Sequence, residues 1–352
     1  MLIVKIELIN MKRILFSTLI PIMAAITPVS AQQIPALYLT GYSYTATQQT
    51  IGAVKTLDGA KLQSLSLSGA DASFFELKGD TLKLKKLKPA VQFMEVTVTA
   101  KAGKSKLSGK FRLVNDQFHR NKVIAHRGAW KNTNSPENSL AALNHAINIG
   151  CEGSEFDVHL SADSVLFINH DDKIQGLDIE KSDSKQLAAL KLTNGEALPT
   201  LTAYLREGLK QNRTKLILEI KPSTISTGRA LALTKRVVAM VTDMKAEGWV
   251  DYISFDYDVC KEVIKLAPYA KVSYLKSDKA PAELAADGMY GLDYHFSIMQ
   301  KHPEWITEAK AKNITINVWT VNDEALMDWL LKENADFITT NEPELLLKKV
   351  SK

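Results

Sequence analysis

Seven ionisable residues stand in or just after short apolar runs. His126 and Arg127 follow Val123-Ile-Ala, and Glu155 and Asp157 sit in Ser154-Glu-Phe-Asp-Val. His170 follows Leu166-Phe-Ile-Asn, and Glu219 and Lys221 close Leu216-Ile-Leu-Glu-Ile-Lys. On a strand, residues two apart point to the same face. Glu155 therefore shares a side with Asp157, and Glu219 with Lys221. Three carboxylates turned into one cavity repel each other unless a cation joins them. Oxygen ligands of this kind select a hard divalent cation, Mg²⁺ or Ca²⁺, with Mn²⁺ as the next candidate. Any one of these carboxylates alone would be explained by an ion pair with Arg127 or Lys221; the joint arrangement favours the metal. His126 and His170 beside them are suited to act as acid and base. Arg127 offers a planar fork for two phosphate oxygens. Together with Lys221, the set describes a site for an anionic phosphodiester.

Such a site needs a scaffold that brings separate strand ends to one mouth. From Val123 onward, short apolar runs alternate with helical stretches. Strands are expected near 123–127, 154–158, 215–220, 252–256, 272–275, 289–292, 314–319 and 336–339, with an extra hairpin strand near 165–169. Helices are expected at 139–149, 200–210, 229–247, 258–266, 302–312, 322–333 and 343–350. Eight strands in this rhythm predict an α/β fold, a (β/α)₈ barrel, whose chemistry lies at the C-terminal ends of the strands. A doubly wound open sheet is the alternative. Ser135-Pro136-Glu137-Asn138 reads as a helix start with Ser135 as N-cap. His145 and His159 read as surface residues, with His159 a secondary candidate for supporting the site.

Residues 32–117 have a different texture. Period-two runs such as Thr81-Leu-Lys-Leu and Phe93-Met-Glu-Val-Thr-Val-Thr, separated by Gly, Asp and Pro, predict a small all-β sandwich. Residues 118–122 read as a linker to the barrel at 123–352. Before the sandwich, Lys12 and Arg13 precede an apolar stretch at 14–29 broken by Pro21 and Pro28, ending in Val29-Ser30-Ala31. That is the pattern of a cleaved signal peptide over 1–31, which predicts an exported protein, periplasmic or secreted, with no stable membrane insertion after cleavage. The 352 residues carry a formal net charge of +5, too small and too interspersed for a nucleic-acid partner. Two cysteines, Cys151 and Cys260, exclude a disulfide scaffold and read as buried thiols.

Six short motifs then occur in order: His126-Arg-Gly, Pro136-Glu-Asn, Glu155-Phe-Asp-Val, His170-Asp171, Glu219-Ile-Lys221 and Trp319-Thr-Val-Asn322. Over about residues 122–350 the chain resembles the glycerophosphodiester phosphodiesterase family. The resemblance implies a (β/α)₈ barrel that hydrolyses a small glycerophosphodiester to glycerol 3-phosphate and an alcohol with a divalent cation. It further implies Glu155, Asp157 and Glu219 as metal ligands and His126 and His170 as the acid–base pair. Arg127 and Lys221 would contact phosphate, Glu137 would support the site, and Trp319 would wall the substrate pocket. The segment from Asp172 to Leu198 departs from the family pattern and reads as a short insertion, which bears on substrate. A lysophospholipid or a glycerophosphate-decorated glycan is the alternative substrate, and a non-catalytic binding protein the alternative class. The N-terminal sandwich resembles a cadherin-like repeat, with Asp71 and Asn115-Asp116 where calcium ligands would fall. It reads as a spacer, with contact to a surface or a glycan as its other role.

Overall fold

A computed structural model describes residues 36–351, so the expected signal sequence lies outside the described residues. The first sheet joins β1 (Tyr38–Leu39), β3 (Thr50–Lys55), β5 (Phe75–Lys78) and β6 (Thr81–Leu84) in the order β1-β3-β6-β5. The second joins β2 (Ser43–Tyr44), β4 (Leu62–Ser68), β7 (Phe93–Ala102) and β8 (Ser105–Asn115) in the order β2-β8-β7-β4. Inward residues alternate as the sequence pattern requires: Met94, Val96, Val98 and Ala100 are buried along β7. They share one apolar cluster with Leu82, Leu84 and Phe111. Strands β1 and β2 are two residues long and carry no readable period, so the sequence pattern misses them. The acids at the calcium-like positions are both engaged within the protein. Asp71 is held by Lys88 Nζ at 2.7 Å and the Glu95 amide, and Asp116 pairs with Arg120 at 2.9 Å.

The barrel follows. Its strands are β9 (Val123–Ala125), β10 (Gly153–Leu160), β14 (Lys215–Ile220), β15 (Val250–Ser254), β16 (Val272–Tyr274), β17 (Gly291–His295), β18 (Thr315–Trp319) and β19 (Phe337–Thr340). They pair in parallel in that order, and β19 pairs back to β9, so the sheet closes with eight strands. β11 (Leu166–Ile168) adds antiparallel to β10, as the expected hairpin. The expected strands fall where predicted, with ends displaced by a few residues. Three short helices, Ser184–Ala188, Pro281–Ala286 and Phe296–Lys301, escape the sequence pattern because each spans too few residues for a period to be read. Between β11 and β14, the hairpin of β12 (Lys173–Ile174) and β13 (Leu177–Asp178) builds a small lobe. It has its own core of Phe167, Ile179, Leu187 and Leu198. Cys151 and Cys260 are free and buried, as read from the sequence.

The sandwich packs against the N-terminal ends of the barrel strands. Asn212 Nδ2 donates to the Asn115 carbonyl at 2.6 Å, and Gln92 Nε2 to that of Lys210 at 2.7 Å. The loop before β15 comes so close that a Cβ on Gly248 would stand 2.8 Å from the Tyr42 carbonyl oxygen. Beside it, Trp249 is fully buried, edge-on to Phe93 at 6.3 Å, with Nε1 donating to the Gln211 carbonyl. Trp249→Ala removes a large ring from between the two β structures. It should cost about 3–5 kcal/mol, read as a fall in the urea unfolding midpoint.

Candidate active site

The strand order dictates which side chains meet. β10 and β14 are neighbours in register, with Asp157 opposite Glu219. Glu155 is one pleat below Asp157 on the same face. The three carboxylates are almost fully buried, and one oxygen from each lies within 4.8 Å of the others. Lys221 Nζ sits 3.0 Å from Glu219 Oε1 and 3.3 Å from Asp157 Oδ1. These are ion-pair contacts without hydrogen-bond alignment, so both oxygens stay buried with no hydrogen-bond partner.

The electrostatics follow from this crowding. Burial first, then the charges of Asp157 and Glu219, raises the Glu155 pKa well above the carboxylate range. Burial and Asp157 push Glu219 up to about 8 against the pull of Lys221. Burial alone would also raise Asp157; Lys221, His170, Asn138 and Arg127 together hold it below its usual value. Lys221 is shifted upward, because its two carboxylates outweigh the cost of burying an ammonium.

The loop after β9 supplies the next shell. Arg127 adopts φ 57° and its amide donates to Glu155 Oε2 at 2.8 Å. Its Nη1 is forked by both Glu137 oxygens, at 2.9 and 3.0 Å. Gly128 has φ 81°, and a Cβ there would lie 2.7 Å from the Ala142 backbone, so the loop can turn under the helix only with glycine. The helix start is displaced from its expected place. Ser139, not Ser135, is the N-cap, accepting from the Ala142 amide, and the helix runs Leu140–Ile149. Ser135–Asn138 instead forms the preceding turn, in which Asn138 takes φ 59° and its amide bonds the Arg127 carbonyl. That turn aims Glu137 at Arg127. It also buries Asn138 against Asp157, with Nδ2 donating to Oδ2 at 2.8 Å and Oδ1 accepting the Asp157 amide.

Asn138 is a site residue that sequence reasoning took for a helix start; its position directly after Glu137 was the available signal. Asn341 is another. It follows β19, and its Oδ1 lies 2.8 Å from His126 Nδ1. An amide oxygen only accepts, so Nδ1 carries the proton and Nε2 is left with a lone pair. Burial and the Arg127 charge push the His126 imidazolium down to about 4, so the ring is neutral at pH 7. His170 is more exposed and holds Asp171 Oδ1 at 2.7 Å through Nδ1. The surface reading of His159 is corrected. Its side chain is buried on β10, and Nε2 contacts the His170 carbonyl oxygen at 3.2 Å. His145 is half-buried, 3.1 Å from Glu344.

These groups border a small void of about 90 Å³ at the C-terminal mouth of the barrel, lined by His126, Arg127, Glu155, His170, Glu219 and Trp319. Trp319 forms part of its wall, edge-on to Phe255 at 5.5 Å, its Nε1 donating to the Asp293 carbonyl at 2.8 Å. All nine expected residues thus fall in one region: seven around the carboxylates and void, Glu137 behind Arg127, and Trp319 on the wall. A larger cavity exists at the opposite end of the barrel, but none of these residues lines it.

A closed parallel barrel with buried carboxylates, two histidines and two cations at its C-terminal mouth defines a phosphodiesterase of the barrel class. The glycerophosphoryl diester phosphodiesterase family model matches residues 126–345, and the chain belongs to that family. It is similar to a crystallised glycerophosphodiester phosphodiesterase from Parabacteroides distasonis, at 45% identity and a TM-score of 0.64, covering 66% of this chain and 98% of that one. It is 28% identical to the glycerophosphodiester phosphodiesterase of Caldanaerobacter subterraneus over 65% of this chain and 98% of that protein. A phosphodiesterase from Oleispira antarctica, solved in complex with the product sn-glycerol-3-phosphate, aligns at 25% identity and a TM-score of 0.57 over 66% of this chain and 97% of that one.

Lys221→Met would leave Asp157 and Glu219 buried without their cation. In EDTA-treated protein this should lower stability by about 3–5 kcal/mol, measured by urea denaturation.

Proposed function

We propose that the barrel mouth hydrolyses glycerophosphodiesters to glycerol 3-phosphate and an alcohol with the help of a divalent cation. The observation that carries this reading is the buried carboxylate triad, with Asp157 Oδ1 and Glu219 Oε1 lacking hydrogen-bond partners. Three buried carboxylates with one ammonium shared between two of them fit a hard cation, Mg²⁺ or Ca²⁺ before Mn²⁺. Glu155, Asp157 and Glu219 would hold it. When bound it supplies Lewis-acid stabilisation of charge on the phosphoryl oxygens. The glycerol 3-phosphate bound to the Oleispira relative supports the substrate class.

The chain's own groups divide the remaining work. Arg127, braced by Glu137, and Lys221 hold phosphate oxygens and stabilise the charge that grows there in the transition state. His126 is the base: Asn341 fixes its proton on Nδ1, so Nε2 is free to take the proton of the attacking oxygen. His170 is the acid, delivering a proton to the leaving alkoxide while Asp171 holds its Nδ1. Asn138 keeps Asp157 turned toward its neighbours. The apolar run over 14–29 and the break after Ala31 support an exported enzyme. N-terminal sequencing of the protein recovered from its natural host should then begin at Gln32; retention of Met1 or Met11 would sink that part of the reading.

Release of glycerol 3-phosphate from glycerophosphocholine and glycerophosphoethanolamine tests the reaction. EDTA should abolish it and a divalent cation should restore it. His126→Ala and His170→Ala should each lose about 10²- to 10⁴-fold in kcat while metal binding persists. Near-normal turnover in either variant would remove that histidine from the mechanism, and full activity in EDTA would remove the metal.

A further inference from the structure

The larger cavity, about 360 Å³, lies where the sandwich meets the N-terminal ends of the barrel strands, opposite the catalytic mouth. Its size is within the roughly 300–1,000 Å³ range of small-ligand pockets. Thr40 and Arg120, both exposed, are among its lining residues and give it an edge on solvent. Both β structures are needed to build it, and none of the groups placed in the reaction lines it.

Its lining carries five carboxyls and three cations, and the third cation, Lys271, lies over the Tyr290 ring at 4.7 Å. Arg120 is engaged with Asp116 at 2.9 Å, and Lys215 with Asp251 at 3.4 Å. Glu247 also lines the cavity, is more than nine-tenths buried, and has Oε2 with no hydrogen-bond partner. The cations whose charges it feels are Lys245, two residues before it, and Arg112, which is engaged with Glu95 at 2.9 Å. Four further lining residues are tyrosines: Tyr290, which carries Lys271 over its ring, and Tyr42, Tyr252 and Tyr269. Tyr42 and Tyr269 pack with ring centroids 4.6 Å apart, and the Tyr252 hydroxyl is buried without a partner. Burial and the nearby Glu247 charge both raise the pKa values of Tyr42, Tyr252 and Tyr269. Among the described residues the carboxylate triad at the catalytic mouth is the one group arranged to hold a metal ion, so this carboxylate is not part of a second metal site.

We propose that this cavity binds a small organic cation, a primary or quaternary amine, through the Glu247 carboxylate amid Tyr42, Tyr252 and Tyr269. Burial pushes the Glu247 carboxyl up to about 8; a bound amine would stabilise its ionised form, and aromatic rings attract cations that carry apolar surface. The ligand class follows from the lining and does not rest on the identity of the hydrolysed diester.

The test titrates the purified full chain with choline chloride and with ethanolamine, using glycerol and inorganic phosphate as controls. Calorimetry reads affinity, and the tyrosine ring NMR signals read location. The expected result is one-to-one binding of at least one amine, with the Tyr42, Tyr252 and Tyr269 signals shifting. Glu247→Gln should weaken binding about tenfold or more and leave turnover unchanged, while His170→Ala should leave binding intact. Three results would overturn the proposal: neither amine binds; binding survives Glu247→Gln but is lost in His170→Ala, which places the amine in the catalytic mouth; or the controls shift the same rings. If Glu247→Gln fails to fold, the ring signals of the unmodified chain decide between these outcomes.

Discussion

The repulsion among Glu155, Asp157 and Glu219 is the constraint to which the rest of the site answers. Three carboxylates whose oxygens converge within 4.8 Å, out of water, would not all stay ionised without help. Each neighbour supplies part of that help. Lys221 lies between Asp157 and Glu219, the Arg127 amide caps Glu155, and Asn138 grips Asp157 by both ends of its amide. One ammonium is thus shared between Asp157 and Glu219, which leaves the triad with more negative charge than its neighbours offset. That residual demand is the physical basis for a cation, and it also turns the mouth toward an anionic substrate.

The scaffold earns its rigidity where the chemistry is not. The mouth is built from loops and strand ends, and several of its residues take left-handed conformations: Arg127, Gly128 and Asn138. A backbone of that kind persists only when the surroundings over-determine it. Here the closed sheet below, the helix Leu140–Ile149 seated on Gly128, and the ion pair between Arg127 and Glu137 do so. At the other end the sandwich packs against the loops that enter β14 and β15, through Asn115, Gln92 and the close approach at Gly248. The two ends of the barrel thus have separate tasks, and their cavities differ accordingly. The mouth is small and lined by the histidines, Arg127 and carboxylates, whereas the opposite cavity is larger and lined by tyrosines and the Glu247 carboxyl.

Much of this was legible in the residue order. The alternation of short apolar runs with helical stretches gives the eight strands, because strand burial in a parallel barrel leaves continuous apolar runs that polar loops must interrupt. The period of two places Glu155 with Asp157 and Glu219 with Lys221 on shared faces. Ionisable residues at successive strand ends identify the mouth. The buried state of Cys151 and Cys260 agrees with the general tendency of free cysteines to be buried.

Other features depend on contacts between residues far apart in the chain, which no local pattern records. Asn341 reaches His126 across 215 positions, and only barrel closure between β19 and β9 brings them together. That contact places an acceptor at Nδ1 of His126 and leaves Nε2 toward the void, which is the basis of the base role proposed for it. Ser135 satisfies every local rule for an N-cap, yet the cap is Ser139, because Asn138 is drawn into a left-handed turn by Asp157 and the Arg127 carbonyl. His159 looks like a surface residue after a strand, but β10 continues through it and buries it against the His170 backbone. The sequence by itself determined the barrel strands, the carboxylates that converge at the mouth and the reaction class, since these rest on residue type and short periods. Only the tertiary structure decided hydrogen-bond partners, protonation states and the cavity beneath the barrel, since these rest on which distant surfaces exclude water from one another.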